Sequence, residues 1–138
     1  MQGDDVKFEE FVQYVTEEAI LGVYQLDHHW RPQYHMCLPC HVNYDFIGHY
    51  ETLNSDAEYV LAQITRSAGA NHSTADAVRF PYADVDSRNR NSHEFLQKFY
   101  GNVSSYSILR LLRLYKTDYE VFDYDIPVEI LRILNIQS

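Results

Sequence analysis

The side chains best suited to chemistry lie between residues 27 and 41. A carboxylate, several imidazoles and two thiols stand close together there: Asp27, His28, His29, His35, Cys37, Cys40 and His41. His29 follows the acid Asp27 by two positions and precedes Trp30. A neutral imidazole in that setting could take a proton from a hydroxyl, which is the work of a general base. This segment is therefore the first candidate for a catalytic or ligand-binding site.

The two cysteines of the chain admit three interpretations. Cys37-Leu38-Pro39-Cys40-His41 satisfies the C-x-x-C-H pattern of haem attachment. The thiolates and the histidines of residues 28–35 could instead bind zinc, although a second ligand pair at a loop's distance is absent. The third interpretation, a disulfide between Cys37 and Cys40, is the favoured structural assignment. Its short loop would fix local shape rather than add much stability.

A second polar cluster lies in residues 69–92, a stretch that predicts a long loop. Arg88 and Arg90 stand there beside amides and the hydroxyl of Ser92, a combination that suits phosphate or sulfate. A solvated loop is the simpler alternative. Asn71 and Asn102 each begin an N-x-S triplet, which hints at glycosylation on a secretory route.

Composition narrows the function classes. The chain has 138 residues, of which 46% are hydrophobic and 22% charged, and this predicts a folded domain. A net charge of −9 disfavours a free-standing nucleic-acid binder, because phosphate binding normally needs a basic surface. We expect no membrane span, since no apolar run approaches the ~20 residues that one requires.

The hydrophobic periodicity predicts the elements that must position these side chains. We predict a first helix over 6–20, capped by Asp4 or Asp5 and ended by Gly22, and a second from a Ser55–Glu58 capping box to Gly69. Further helices are predicted over 93–100, over 104–116 and after Pro127. Apolar and polar side chains alternate in residues 42–50, which predicts a strand, and we predict a second, short strand over 119–124. The order indicates an α/β fold, although two strands make no independent sheet.

Several motifs together resemble one known family. They are Asp27-x-His29-Trp30-Arg31-Pro32-Gln33 with Cys37-x-Pro39-Cys40, then Tyr44-Asp45-Phe46-Ile47-Gly48-x-Tyr50-Glu51-Thr52-Leu53, and finally Leu114-Tyr115-Lys116-x-Asp118-Tyr119. In order and spacing they resemble the Golgi carbohydrate sulfotransferases, in particular the chondroitin and dermatan 4-sulfotransferases. The resemblance covers nearly the whole chain.

The resemblance implies an activity, a fold and a set of site residues. These enzymes transfer a sulfuryl group from the co-substrate 3′-phosphoadenosine 5′-phosphosulfate to a sugar hydroxyl, use no metal or other cofactor, and have a P-loop-like α/β fold. The implied roles are His29 with Asp27 for catalysis, Arg90, Ser92, Arg88, Arg31 and Trp30 for binding donor or glycan, a lumenal disulfide between Cys37 and Cys40, and glycosylation at Asn71 and Asn102.

The chain also departs from the family pattern. The family's two donor-binding motifs and its membrane anchor lie N-terminal to the matched segment, and His28 stands where similar members carry an acid. We therefore expect residues 1–138 to form the C-terminal part of a sulfotransferase domain, mostly helical with one or two strands. Its expected partners are a sulfated or sulfatable glycan and the missing half or another sulfotransferase. The alternative is a non-catalytic lumenal module that binds a glycan or a partner.

Overall fold

The computed structural model describes residues 5–67 and 93–136. Within these ranges the α-helices are α1 (Phe8–Glu18), α2 (Gln33–Cys37), α3 (Leu53–Ser67), α4 (His93–Tyr100), α5 (Ser105–Leu114), α6 (Lys116–Val121) and α7 (Val128–Ile133). Short 3₁₀ turns cover Ala19–Leu21, Val23–Gln25 and Tyr50–Thr52. None of the described helices has the length and hydrophobicity that crossing a bilayer requires.

The chain divides into two compact units. The first unit contains residues 1–43 and 90–138, and the second contains residues 44–89. The first unit therefore contains residues 27–34, here called the His-Trp segment, together with the last four helices, α4 to α7.

The core of the first unit lies where α1, α5 and α7 meet. Val12 of α1, Ile108 of α5 and Ile130 of α7 are buried against one another, together with Val103 from the turn before α5. Burying an aliphatic side chain of this size contributes about 1.5–3 kcal/mol. Around this core pack partly buried side chains: Phe8, Tyr100, Leu111, Leu112, Ile133 and Leu134.

The predicted first helix is confirmed, but its predicted cap is wrong. Lys7 occupies the N-cap position, and its backbone N–H donates to Glu10 Oε2 at 2.9 Å. Asp5 precedes this cap, and Asp4 lies outside the described residues. Gly22 ends the segment as predicted, with a φ of 124° that side-chain-bearing residues rarely adopt.

Three later helices follow the prediction closely. The helix predicted over 93–100 is α4. Ser104 caps α5, since its Oγ accepts a hydrogen bond from the Ser107 N–H at 3.1 Å. Pro127 directly precedes α7. These features are set by local sequence, which explains why they could be predicted.

Both predicted strands are wrong. Residues 42–49 are irregular, because alternating side chains alone cannot hold a strand that has no neighbour to pair with. Residues 116–121 are the helix α6, in which Lys116 Nζ lies 3.2 Å from Glu120 Oε1, one turn along. The described part of the chain is thus helical rather than α/β, and the P-loop-like sheet stays a prediction.

In the second unit, the start of α3 differs from the prediction. The helix begins at Leu53 rather than at a Ser55–Glu58 capping box. Asp56 instead reaches back and accepts the His49 N–H at 3.1 Å and the Thr52 hydroxyl. A Cβ on Gly48 would lie 2.9 Å from Asp56 Oδ2, so a larger residue there would push against the carboxylate that makes these hydrogen bonds.

Candidate active site

Asp27 and His29 form a hydrogen-bonded pair at the surface of the first unit. Asp27 Oδ1 accepts the His29 backbone N–H at 2.9 Å and lies 2.7 Å from His29 Nδ1. The His29 side chain is 70% exposed. The carboxylate therefore contacts the imidazole through Nδ1, so Nε2 is the ring nitrogen on the side away from Asp27; the catalytic roles of the two residues stay predictions.

The electrostatics of the pair keep Asp27 ionised. The His29 backbone N–H, followed by the His29 side chain, lowers the pKa of Asp27 below its ordinary value. The pair is consequently complete at neutral pH and is lost only as the pH falls through that lowered pKa. A carboxylate held in its charged form is what an imidazole needs in order to carry a proton during a reaction.

His28 lies beside the pair without entering it closely. Its Nδ1 is 3.4 Å from Asp27 Oδ1, and its ring lies 3.9 Å from the His29 ring between centroids. Asp27, His28 and His29 are the one set of three possible metal ligands found together within the described residues. Neither cysteine joins that set, so the described structure gives no support to the zinc hypothesis built on Cys37 and Cys40.

Trp30 and Arg31 serve the scaffold in this structure. The Trp30 ring meets the rings of Phe11 and Tyr14 on α1 edge-on, at 5.5 and 6.1 Å between centroids. The Arg31 guanidinium donates to the backbone carbonyl of Leu26 through Nε at 3.1 Å and Nη2 at 2.6 Å. The predicted contacts of these two residues with sugar or donor stay predictions.

The His-Trp segment is held in place by α6 and by Tyr115, which lies between α5 and α6. Asp118 accepts the backbone N–H of Gln33 at 2.7 Å and that of Tyr34 at 2.8 Å, so its carboxylate caps α2 from a distant part of the chain. The Tyr115 hydroxyl donates to the Trp30 carbonyl oxygen. We call these two residues the α6 clamp. Both residues lie in the motif Leu114-Tyr115-Lys116-x-Asp118-Tyr119, which by itself indicates no role for either.

The α6 clamp predicts a loss of stability in alkali. Burial, as the largest cause, raises the pKa of Tyr115 from 10.0 to about 12. An unfolded tyrosine ionises near 10, so the folded state keeps a proton that the unfolded state releases. The contribution of Tyr115 to the free energy of unfolding is therefore complete below pH 10 and falls as the pH rises towards 12.

Tyr115→Phe tests this expectation. Urea unfolding at several pH values should show about 1 kcal/mol less stability at neutral pH, from the lost hydrogen bond, and a shallower decline above pH 10. Tyr106→Phe is the matched control, since Tyr106 is 69% exposed. An identical alkaline decline in the Tyr115→Phe variant and the parent protein would contradict the assignment.

The cysteines carry thiols in this structure. Cys37, at the end of α2, directs Sγ towards Gln33 Oε1 at 3.4 Å, while Cys40 is exposed. Leu38 between them has a φ of 48° and ends α2 in a left-handed turn. Their pairing in an oxidising compartment stays a prediction, which mass measurement after alkylation would check.

Of the remaining predicted site residues, only Asn102 lies within the part of the chain that the structure describes. Asn71, Arg88, Arg90 and Ser92 lie outside the described residues. Asn102 is exposed in the turn between α4 and α5, where an attached glycan would meet no buried surface. Its glycosylation stays a prediction.

Comparison with known proteins decides the family. A profile of the sulfotransferase family matches residues 1–125. This chain belongs to that family. Carbohydrate sulfotransferase 11 of Danio rerio is 38% identical over 125 residues, which cover 91% of this chain and 33% of the relative. Carbohydrate sulfotransferase 14 of Danio rerio is 35% identical over 132 residues, and carbohydrate sulfotransferase 12 of Mus musculus is 31% identical over 130. No solved structure matches.

The Asp27–His29 pair and the α6 clamp both lie within the residues that match the sulfotransferase family. This segment spans about a third of the length of the relatives it matches. The family profile ends at residue 125, before α7 begins at Val128. Ile130 of α7 nevertheless belongs to the buried core, so the sulfotransferase segment depends for its packing on residues beyond the profile.

Proposed function

We propose that this chain supplies the acceptor-side part of a carbohydrate O-sulfotransferase. The enzyme transfers a sulfuryl group from 3′-phosphoadenosine 5′-phosphosulfate to a hydroxyl of a chondroitin- or dermatan-type glycan. The observation that carries the proposal is the exposed His29 imidazole, oriented by Asp27 at 2.7 Å, within a chain of the sulfotransferase family. The relatives bear the name carbohydrate sulfotransferase, which supports a sugar as acceptor.

The proposed step is a direct displacement at sulfur. The sugar oxygen forms a new bond to sulfur while the bond from sulfur to the phosphate oxygen of the donor breaks. His29 Nε2 takes the hydroxyl proton, and Asp27 stabilises the resulting imidazolium through Nδ1–H. The products are a sulfate ester of the glycan and adenosine 3′,5′-bisphosphate. Arg88, Arg90 and Ser92 remain our proposed contacts for the donor's phosphate or the acidic glycan.

The donor, on this proposal, is held largely by residues outside this chain. The relatives are about three times as long as the segment they share with it, and a donor-binding segment or a sulfotransferase partner would complete the site. The enzyme would work in the Golgi, where glycans of this class are made. Residues 1–138 thus represent a partial sulfotransferase domain in our proposal.

A chimaera tests the proposed function. This chain replaces the segment that it matches in carbohydrate sulfotransferase 11 of Danio rerio, and radiolabelled donor is offered with chondroitin, dermatan and a neutral polysaccharide. We expect label on chondroitin or dermatan and none on the neutral polymer. A folded chimaera that binds the donor but labels no glycan would overturn the proposal.

The chain alone should not bind the nucleotide. Calorimetric titration of the isolated chain with adenosine 3′,5′-bisphosphate is expected to give no heat of binding, because the family's donor-binding motifs are not among its residues. The chimaera serves as the positive control. Micromolar binding by the isolated chain would show that it contains a donor site of its own.

A further inference from the structure

An open cleft lies between the start of α1 and the end of α4, within the first unit. It has a volume of about 610 Å³ and is lined by Lys7, Phe8, Glu9, Lys98, Phe99 and Asn102. None of these residues belongs to the Asp27–His29 pair or to the α6 clamp. The proposed reaction therefore does not involve the residues of this cleft.

The charges of the cleft stand out in an acidic protein. The chain has a net charge of −9 and three lysines, and two of them line this cleft. The ammonium groups of Lys7 and Lys98 form no ion pair with a carboxylate among the described residues, whereas that of Lys116 pairs with Glu120 at 3.2 Å. Two cations against the single carboxylate of Glu9 give the cleft a net positive charge, which favours an anionic ligand.

The remaining lining residues point to a sugar rather than to a densely charged polymer. Phe8 and Phe99 pack edge to face at 5.5 Å between centroids, and Lys98 Nζ lies 5.6 Å from the Phe99 ring. Aromatic surface suits the apolar C–H face of a sugar ring, while the Glu9 carboxylate suits its hydroxyls. The Glu9 charge also disfavours a ligand with an anion at every position.

We propose that this cleft binds the acidic glycan itself, as a subsite separate from the reacting hydroxyl. Lys7 and Lys98 pair with the carboxylates or sulfates of the glycan, and the phenylalanine pair supports a sugar ring. The same helix connects the cleft to the reaction centre, since Phe8 lines the cleft and Phe11, one turn later, contacts Trp30. The identity of the ligand rests on the proposed function, but its binding is measured without any transfer reaction.

The test titrates a chondroitin hexasaccharide into the full chain, made in a bacterial host so that Asn102 carries no glycan. We expect backbone NMR signals near Lys7, Lys98 and Asn102 to shift. Lys7→Ala and Lys98→Ala should each weaken binding about threefold to fivefold, and together about tenfold. Added salt should weaken binding of the parent protein more than that of the double variant.

Lys116→Ala is the matched control, because it removes the same charge from a lysine that is paired elsewhere. Its affinity should stay within twofold of the parent. Equal weakening by Lys116→Ala, or no binding by the folded parent chain, would overturn the proposal. Shifts of the same signals by adenosine 3′,5′-bisphosphate at lower concentration than by the hexasaccharide would also overturn it, by assigning the cleft to the nucleotide. Failure of transfer in the chimaera with intact hexasaccharide binding would contradict only the proposed reaction.

Discussion

Replacement of His29 by alanine in the chimaera lowers the turnover number about a hundredfold or more. The reason is that general-base catalysis contributes typically about 10²–10⁴-fold, and His29 is the imidazole that Asp27 orients at 2.7 Å. The fold should be unaffected, because the side chain is 70% exposed and fills no part of the core. Initial rates at saturating donor and acceptor, with a circular dichroism spectrum of each variant, make the measurement.

His28→Ala is the control for this prediction. His28 is 66% exposed and neighbours the same carboxylate, but at 3.4 Å rather than 2.7 Å. Its loss should change turnover less than about threefold, since it neither accepts the proton nor orients the base. Near-normal turnover of His29→Ala, or equal losses from the two substitutions, would remove His29 from the mechanism.

Replacement of Asp118 by alanine should have the second-largest effect. It removes a carboxylate that accepts two backbone N–H groups at the start of α2, and such charge-assisted bonds are among the stronger ones. We expect about 2–3 kcal/mol less stability and, in the chimaera, a turnover lower by about tenfold, because the His-Trp segment loses its anchor. Urea unfolding and transfer rates measure the two effects.

Hydrogen exchange separates the role of Asp118 from a general loss of stability. The amides of Gln33 and Tyr34 should exchange faster in Asp118→Ala than the loss of global stability explains. The exchange rates of core amides around Ile108 should change only by the amount that the loss of global stability predicts. Asp125→Ala is the control, since Asp125 is exposed and the substitution removes the same charge. Unchanged protection of Gln33 and Tyr34 in Asp118→Ala would show that the carboxylate does not hold α2.

Much of the local structure could be read from the sequence. The apolar spacing of α1, the short helix α4 and the Ser104 cap of α5 depend on residues within a few positions of one another. The Asp27–His29 pair is also local, because its members are two positions apart and meet through one turn. Such features form from neighbouring residues, so their pattern is present in the sequence itself.

The predictions failed where distant residues decide the structure. The alternation in residues 42–50 and 119–124 resembles a strand, but a strand requires a partner, and the described part of the chain offers none. Residues 116–121 instead follow helical contacts one turn apart. The hydrogen bonds from the Arg31 guanidinium to the backbone carbonyls of Tyr24 and Leu26 were likewise not evident from the sequence, and its predicted contact with donor or glycan stays a prediction.

The sequence by itself determined the family, the candidate base with its acid, and most helix limits of the first unit. Only the tertiary structure revealed the α6 clamp, in which Asp118 holds residues 84 and 85 positions away, and the cleft that Lys7 and Lys98 both line. The physical reason is the range of the interactions. Helix periodicity and caps arise within a few residues, whereas a carboxylate that caps another helix meets its partners only after the chain has folded.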